Sequence, residues 1–258
     1  MTEPSATVGT ASARIGMRPQ PWGAYRRAIR IVCDHGVARA DMEDDVHHFR
    51  LTITHANGVV RAVEGEAIRT PWSICPGALA ELSALEGRRL GDLLSLAARD
   101  RAEQCMHLFD LILLAAKHAG KTGFERHYRI EGDYDQSPPQ MRLWCNGSDI
   151  LSWAVVNGHI QGSTFEGVAL RNLGEAIANM PEQLAEAALI LRRASLIAAS
   201  RILDLDLFDD ANAINPQAPA VCYARQPGRS ANALRNRGSA RDFYADDAWP
   251  LETTQTSL

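Results

Sequence analysis

Two hydrophobic rhythms divide the chain. From Tyr25 the apolar positions recur at every second residue. Arg26–Cys33 and Val37–Met42 are short segments around Asp34-His35-Gly36, which predicts a hairpin with glycine in its turn. Within His47–Thr54, Phe49, Leu51 and Ile53 alternate with polar neighbours, the pattern of a strand with one buried face. Asn57-Gly58 supplies a second turn, a pair suited to positive φ, and Val59–Ile68 returns as a strand. Four antiparallel strands in a meander is the economical reading.

At Pro71 the period changes from two to 3.6. Cys75-Pro76 reads as an N-cap followed by proline at the first helical position, where a missing N–H costs nothing. Leu79, Leu82 and Leu85 continue that face until Gly87 stops the helix. Leu90–Ala98 predicts a second helix and Ala102–Ala119 a longer one, with Cys105, Phe109, Ile112 and Ala116 on one side. Its closing Lys117, His118 and Lys121 suit the negative pole of the helix dipole.

Beyond Gly120 the alternation resumes at Arg126–Ile130. Gln140–Cys145 and Asp149–Val156 then flank Asn146-Gly147-Ser148, a strong hairpin signal. Asn157-Gly158 marks another turn before a brief His159–Ile160 strand. Helical spacing returns after Pro181, and Leu184–Leu203 is long and largely apolar apart from Arg192-Arg193. The last fifty residues show little periodicity, although Val221-Cys222-Tyr223 and Asp242-Phe243-Tyr244 have the composition of packed chain. No internal repeat stands out. The organisation this implies is a flexible arm over 1–24, a single α+β domain over 25–205, and an extended tail over 206–258 packed on the domain.

Composition narrows the function classes. The 258 residues are 46% hydrophobic and 22% charged, enough apolar material for a sizeable core. A net charge of −4 leaves no electrostatic footprint for nucleic acid. The longest uncharged apolar run, Leu111–Ala116, is far short of the roughly 20 residues a membrane helix needs. Five cysteines at 33, 75, 105, 145 and 222 form no disulfide framework, so a reducing cytoplasm is the expected compartment. Phosphate loops, nucleophile elbows and H-E-x-x-H are absent, which argues against NTP hydrolysis and common hydrolase or zincin chemistry.

The candidate chemistry lies between Thr70 and Ala119 and in its neighbours. A cysteine at a helix N-terminus has its thiolate stabilised by unpaired N–H groups, so Cys75 is expected to have a lowered pKa. Cys105 opens the third helix, and His107 lies about 200° further round it on helical phase, turned away from Cys105. His47 and His48 alternate across a strand, so one of them faces a buried site. Cys75, Cys105 and His47 together make a ligand set for zinc or an iron–sulfur centre. Buried cysteines are also ordinary core residues, and a histidine beside an apolar helix is often hydrogen-bonded structure. His47, His48, His107 and Tyr128 are the candidates to move a proton. Arg192 and Arg193 need a carboxylate or solvent, and either orients an anion or closes a structural ion pair. Trp72, Trp153 and Tyr223 are candidates to hold an aromatic ring, or else core.

Two resemblances follow from these residues. The order His48–Thr54, Asn57-Gly58, Ile68–Cys75, Leu85-Glu86-Gly87-Arg88-Arg89-Leu90 and Cys105 resembles the NifU/IscU iron–sulfur scaffold fold over about residues 46–119. The scaffold's first cluster cysteine would fall near Asp45–His47, where this chain has none. Pro71-Trp72-Ser73-Ile74-Cys75-Pro76 and Cys105-Met106-His107-Leu108 resemble the P-[YW]-x-x-C-P and C-[TM]-H-L motifs of a bacterial family of unknown function, from about Tyr25 through Arg201. Its members occur in bacteria with broad catabolic repertoires, so the resemblance implies small-molecule catabolism.

The sequence therefore predicts an α+β protein: an antiparallel sheet with helices on one face, a NifU/IscU-like core at 46–119, and an extension at 120–205 made of a second β-hairpin and a long C-terminal helix. The functional reading leans to an enzyme. It is a lyase-type acid–base catalyst acting on an aromatic or hydrophobic metabolite without an organic cofactor. Its partner is a small-molecule substrate, with no nucleic acid and no membrane, and a homo-oligomer is compatible with it. A zinc or iron–sulfur carrier is the alternative, and a non-catalytic interaction module the third.

Overall fold

The computed structural model describes residues 23–94, 104–198, 201, 203–214 and 222–252. Eight strands form one antiparallel sheet: β1 Ala24–Asp34, β2 Val37–Asp44, β3 His48–Ala56, β4 Val59–Arg69, β5 Phe124–Asp133, β6 Gln140–Cys145, β7 Ser148–Val156 and β8 His159–Gln161. Their order is β4-β3-β2-β1-β5-β6-β7-β8. Two four-stranded meanders thus meet at the middle, where β1 and β5 pair from Ala24↔Asp133 to Cys33↔Phe124.

The alternation read from the sequence sets the two faces of this sheet. Phe49, Leu51 and Ile53 are each at most 1% exposed, while Arg50, Thr52 and Thr54 are half-buried. Two long helices cover one face. Met106–His118 packs on β1, β2 and β3, and Glu182–Ala198 packs on β5, β6 and β7. Lys117 pairs with Glu186 at one end of the helix pair, and Arg193 with Asp110 at the other, so the helices run antiparallel. The other face is met by the chain near its C-terminal end. Arg26, which alternates with Arg27, donates to the carbonyls of Phe243 and Ala248 and lies over the rings of Tyr244 and Trp249. A separate small cluster joins Trp72 and Cys75 to Phe208, Ala211, Ala224 and Ala233.

This architecture overturns the expected fold in three respects. There is no scaffold core with a hairpin appended: residues 124–161 are a second complete meander hydrogen-bonded to the first. Each strand was visible as a local pattern, but the β1–β5 pairing joins residues about a hundred positions apart and leaves no local trace. The long C-terminal helix is 17 residues, Glu182–Ala198, rather than reaching Leu203. Ile74, not Cys75, is the N-cap of the helix at Cys75–Leu85, and that helix is a 3-10 helix, not an α-helix. The second predicted helix is seen over Leu90–Leu94, and its remainder lies outside the described residues, as does the predicted arm up to residue 22. Among the described residues no helix is long and apolar enough to cross a membrane.

The two meanders also repeat one another in detail. Asn57-Gly58 turns β3 into β4 and Asn157-Gly158 turns β7 into β8, with all four residues at positive φ. Each turn is then clamped by a returning segment. Gly87 N–H donates to Val60, Val60 N–H to Arg88, and Leu90 N–H to Gly58. In the second half Gly167 donates to Ile160, Ile160 to Val168, and Leu170 to Gly158. The clamping segments read Leu85-Glu86-Gly87-Arg88-Arg89-Leu90-Gly91-Asp92-Leu93 and Phe165-Glu166-Gly167-Val168-Ala169-Leu170-Arg171-Asn172-Leu173, sharing E-G-x-x-L and a closing Leu. The two halves therefore share a clamp that the sequence pattern did not disclose by itself.

Candidate functional site

The chemistry gathers where β2 ends. Asp44 closes that strand, and its N–H donates to the carbonyl of His47 across the turn at 2.8 Å. The Asp44 carboxylate is fully buried. Its Oδ1 accepts the backbone N–H groups of Val46 and His47 at 2.9 and 2.8 Å, and faces His47 Nδ1 at 3.0 Å. Its Oδ2 accepts from the Tyr25 hydroxyl at 3.1 Å and from Arg27 Nε and Nη2. Burial alone would raise the pKa of this acid, but His47 and Arg27 hold it well below the usual carboxylate range. Facing an anion, His47 Nδ1 carries the hydrogen of that contact.

The His47 ring lies on that of His107, with centroids 3.8 Å apart and planes 32° from parallel. Phe49 flanks both rings at 6.2 and 6.1 Å. His107 sits in the first turn of the Met106–His118 helix and is 5% exposed, with its Nε2 buried and lacking a hydrogen-bond partner. Burial, then His47 and Arg27, push its pKa well below the ordinary histidine value, so it is neutral at physiological pH. Asp44 acts in the opposite sense and favours an imidazolium formed there.

His107 lines a cavity of about 140 Å³ between the two long helices and the sheet. Its apolar walls include Ile29, Met42, Leu111, Leu114, Ile190 and Leu196, and its polar lining is Arg27, Asp110, Arg192 and Arg193. Leu189 and Leu196, at 46% and 48% exposed, stand where this lining reaches the surface.

The candidates from the sequence are placed as follows. His47 and His107 come together, and Arg192 and Arg193 share the cavity with His107. Arg193 is paired with Asp110, its Nη2 3.3 Å from Oδ1. Although helical phase separates His107 from the Cys105 side of the helix, His107 is still buried. The Met106–His118 helix is buried around most of its circumference, so a residue off the Phe109–Ile112 face still meets protein. His48 points elsewhere, to Asp41 at 2.9 Å. Tyr128 donates to Glu186 in the core of the second half. Trp153 is fully buried and donates to Ser195 Oγ at 3.0 Å. Trp72 and Cys75 pack in the separate cluster, whereas Tyr223 packs against the main core, and none of the three lines the cavity. Burial raises the Cys75 pKa instead of lowering it, because no helix N–H reaches a thiol sealed among apolar groups. The Cys105 thiol is likewise pushed up to about 12 by burial.

Asp44, Arg27 and Asp110 were missed. The signal for Asp44 is its place three residues before His47 at a strand end, where a carboxylate caps a turn and reaches the imidazole together.

Among the described residues, ligand atoms of Asp44, His47 and His107 lie within 4.8 Å of one another, whereas Cys75 and Cys105 join no such group with His47. The donor set suits a transition metal. The geometry is less suitable: both Asp44 oxygens are already taken by N–H and O–H donors. Stacked imidazoles also do not converge their lone pairs on one ion at the ~2.0–2.1 Å such bonds require.

No curated protein matches the chain. The bacterial-family resemblance read from the motifs extended through Arg201, but the match to a family model is confined to the first meander and the helix that follows it. Residues 31–121 match the model of the family described as "Protein of unknown function (DUF2889)".

Proposed function

We propose that this protein is an acid–base enzyme of the lyase type, acting on an aromatic or hydrophobic small molecule without an organic cofactor. One observation carries the reading: a neutral, buried histidine, with Nε2 unpartnered, lines an apolar cavity and rests on a second histidine fixed by a carboxylate. A buried polar atom without a partner costs stability, so its retention calls for a use. In this reading His107 removes a proton from the substrate. The electron pair left behind forms a double bond as a neighbouring bond breaks, and the imidazolium returns the proton to the leaving fragment. Asp44, acting through the His47 ring, stabilises the positive charge that forms. A cavity of about 140 Å³ fits one aromatic ring, since an engineered apolar cavity of ~150 Å³ takes benzene.

The test is to incubate the protein with extracts of hydrophobic and aromatic metabolites and follow depletion by mass spectrometry, with His107→Gln alongside. The wild type is expected to deplete one compound class and the variant to do so at least a hundredfold more slowly. Equal depletion by both removes His107 from the mechanism. A second reading, metal-assisted chemistry at Asp44, His47 and His107, is favoured by the closeness of their ligand atoms alone. Elemental analysis of untagged, chelator-free protein separates the two, because stoichiometric metal would replace the first reading.

A further inference from the structure

The cavity beside His107 combines charges that are already engaged with one bond that is not made, and the two together narrow what can fill it. Arg27 gives Nε and Nη2 to Asp44. Arg193 gives Nε and Nη2 to Asp110, and its Nη1 lies 3.8 Å from the Met106 sulfur. Arg192 is engaged as well. The polar lining therefore does not call for an anion, and a carboxylate placed among Leu111, Leu114 and Ile190 would lose its water without gaining a free counter-charge. A plain hydrocarbon suits those walls but leaves His107 Nε2 as it stands, buried and without a hydrogen-bond partner. A hydroxyl group meets that nitrogen whichever way the neutral ring carries its hydrogen, because a hydroxyl both donates and accepts. The volume is that of a single ring.

Resting on the acid–base reading for the identity of the cavity as the substrate site, we infer that its occupant is a neutral single-ring phenol. The ring lies among Leu111, Leu114 and Ile190, and the hydroxyl is hydrogen-bonded to His107 Nε2. That one polar contact decides which edge of the ring faces the histidine pair, an orientation that apolar walls do not supply. The same contact gives the buried nitrogen the partner it lacks, so binding and relief of the unmet bond are one event.

Calorimetric titration of the full chain with phenol, toluene and benzoate tests the inference, since the three compounds share a ring and differ in the group it bears. Phenol is expected to bind about tenfold more tightly than toluene, and more tightly than benzoate. His107→Phe keeps a ring at that position and removes its nitrogens, so it should bring phenol down to the affinity of toluene while toluene still binds. Equal binding of phenol and toluene by the wild type overturns the hydroxyl contact but leaves a ring-sized site, on which the acid–base reading still stands. Tightest binding of benzoate overturns the neutral occupant and likewise spares that reading. A phenol preference that survives His107→Phe puts the hydroxyl elsewhere and overturns the contact. No binding of any ring compound to folded protein removes the cavity as the substrate site, and with it the acid–base reading. Should His107→Phe fail to fold, the nitrogen-15 resonance of His107 Nε2 in the wild type takes its place. It should move on adding phenol and not toluene, and a resonance that ignores phenol overturns the inference.

Discussion

In the first meander three residues, Asp45-Val46-His47, join β2 to β3; in the second, the corresponding turn between β6 and β7 is the two-residue Asn146-Gly147. The longer turn lets Asp44 cap two backbone N–H groups and hold an imidazole, whereas in the tight one Asn146 Oδ1 accepts a single backbone N–H, that of His127. The long helices differ in the same way. The ion pairs Asp110–Arg193 and Glu186–Lys117 are counterparts, each joining an acid early in one helix to a base late in the other. Counting back three residues from each acid puts His107 opposite Gln183 in the second half. Arg27 and Arg126 open the shared pattern R-x-x-R-I, and each meets a buried carboxylate, Asp44 in one half and Glu186 in the other.

Those two carboxylates have different surroundings. Glu186 is surrounded by Tyr128, Arg126, His118 and Lys117, and none of its lining opens on the cavity. Burial would raise its pKa, but His118, Tyr128 and Lys117 hold it well below the ordinary range. Every oxygen is satisfied, which is what a structural ion network requires. Asp44 is equally satisfied, yet the histidine it supports through His47 is not, and that histidine faces a cavity. Under the proposed function, what distinguishes the first half is an unpartnered histidine that lines a cavity; His127 Nε2 in the second half is also unpartnered but does not line it.

The largest expected effect tests this division. His107→Gln should lower turnover of the identified substrate by about 10²–10⁴-fold while the thermal midpoint stays near that of the wild type. Gln183→His, its counterpart, should add no activity. A His107 variant that keeps its rate would leave the two halves functionally alike. Glu186→Ala should do the reverse. Removing the centre of a buried ion network costs roughly 3–5 kcal/mol, read as a lower urea midpoint, with the rate per folded molecule unchanged.

The dependence on pH separates the halves again. The pKa of His107 is depressed in the folded state, so below about pH 6.5, its unfolded value, the unfolded chain takes the proton first. Stability from the neutral ring is complete above that pH and declines as pH falls. The pKa of Glu186 is also depressed, and its contribution is present above about pH 4.3 and lost as pH falls further. Urea unfolding from pH 8 to pH 3 should therefore weaken in two stages. His107→Gln should remove the first, and Glu186→Ala should diminish the second, which the depressed Asp44 carboxylate shares. A first stage that survives His107→Gln would assign that acid sensitivity to other groups.

Much of this fold is written in local patterns, and the site much less. Each strand and turn, from Arg26–Cys33 to Asn157-Gly158, carries its own alternation or turn chemistry, because side chains on a half-buried strand must alternate. What no local pattern specifies is that β5 lies beside β1, since that register follows from packing of residues far apart in the chain. His47 and His107 were visible as candidates, but their contact depends on where a helix start meets a strand end. Cys75 misled because the helix it opens is a 3-10 turn packed in an apolar cluster, where desolvation outweighs any effect of helix N–H groups. The repeat E-G-x-x-L is short enough to pass for coincidence until both copies are seen clamping an Asn-Gly turn.

The smallest expected effect tests the shared clamp itself. Gly87 and Gly167 occupy φ of +78° and +76°, and a methyl group added to either meets nothing within 4 Å. Alanine at these positions is penalised only by its backbone conformation, about 1–2 kcal/mol, with no contribution from collision. If the two clamps are true copies, Gly87→Ala and Gly167→Ala should destabilise by the same amount within about 0.5 kcal/mol, and together they should add, being far apart. Gly174, in the Leu173–Ala176 helix with open space around it and ordinary φ, supplies the control. Alanine there should stabilise by about 0.4–1 kcal/mol, because it restricts the unfolded chain without straining the folded one. A large difference between the first two variants would mean that the clamps share hydrogen bonds but not mechanical weight, and that the halves have diverged in structure as well as in chemistry.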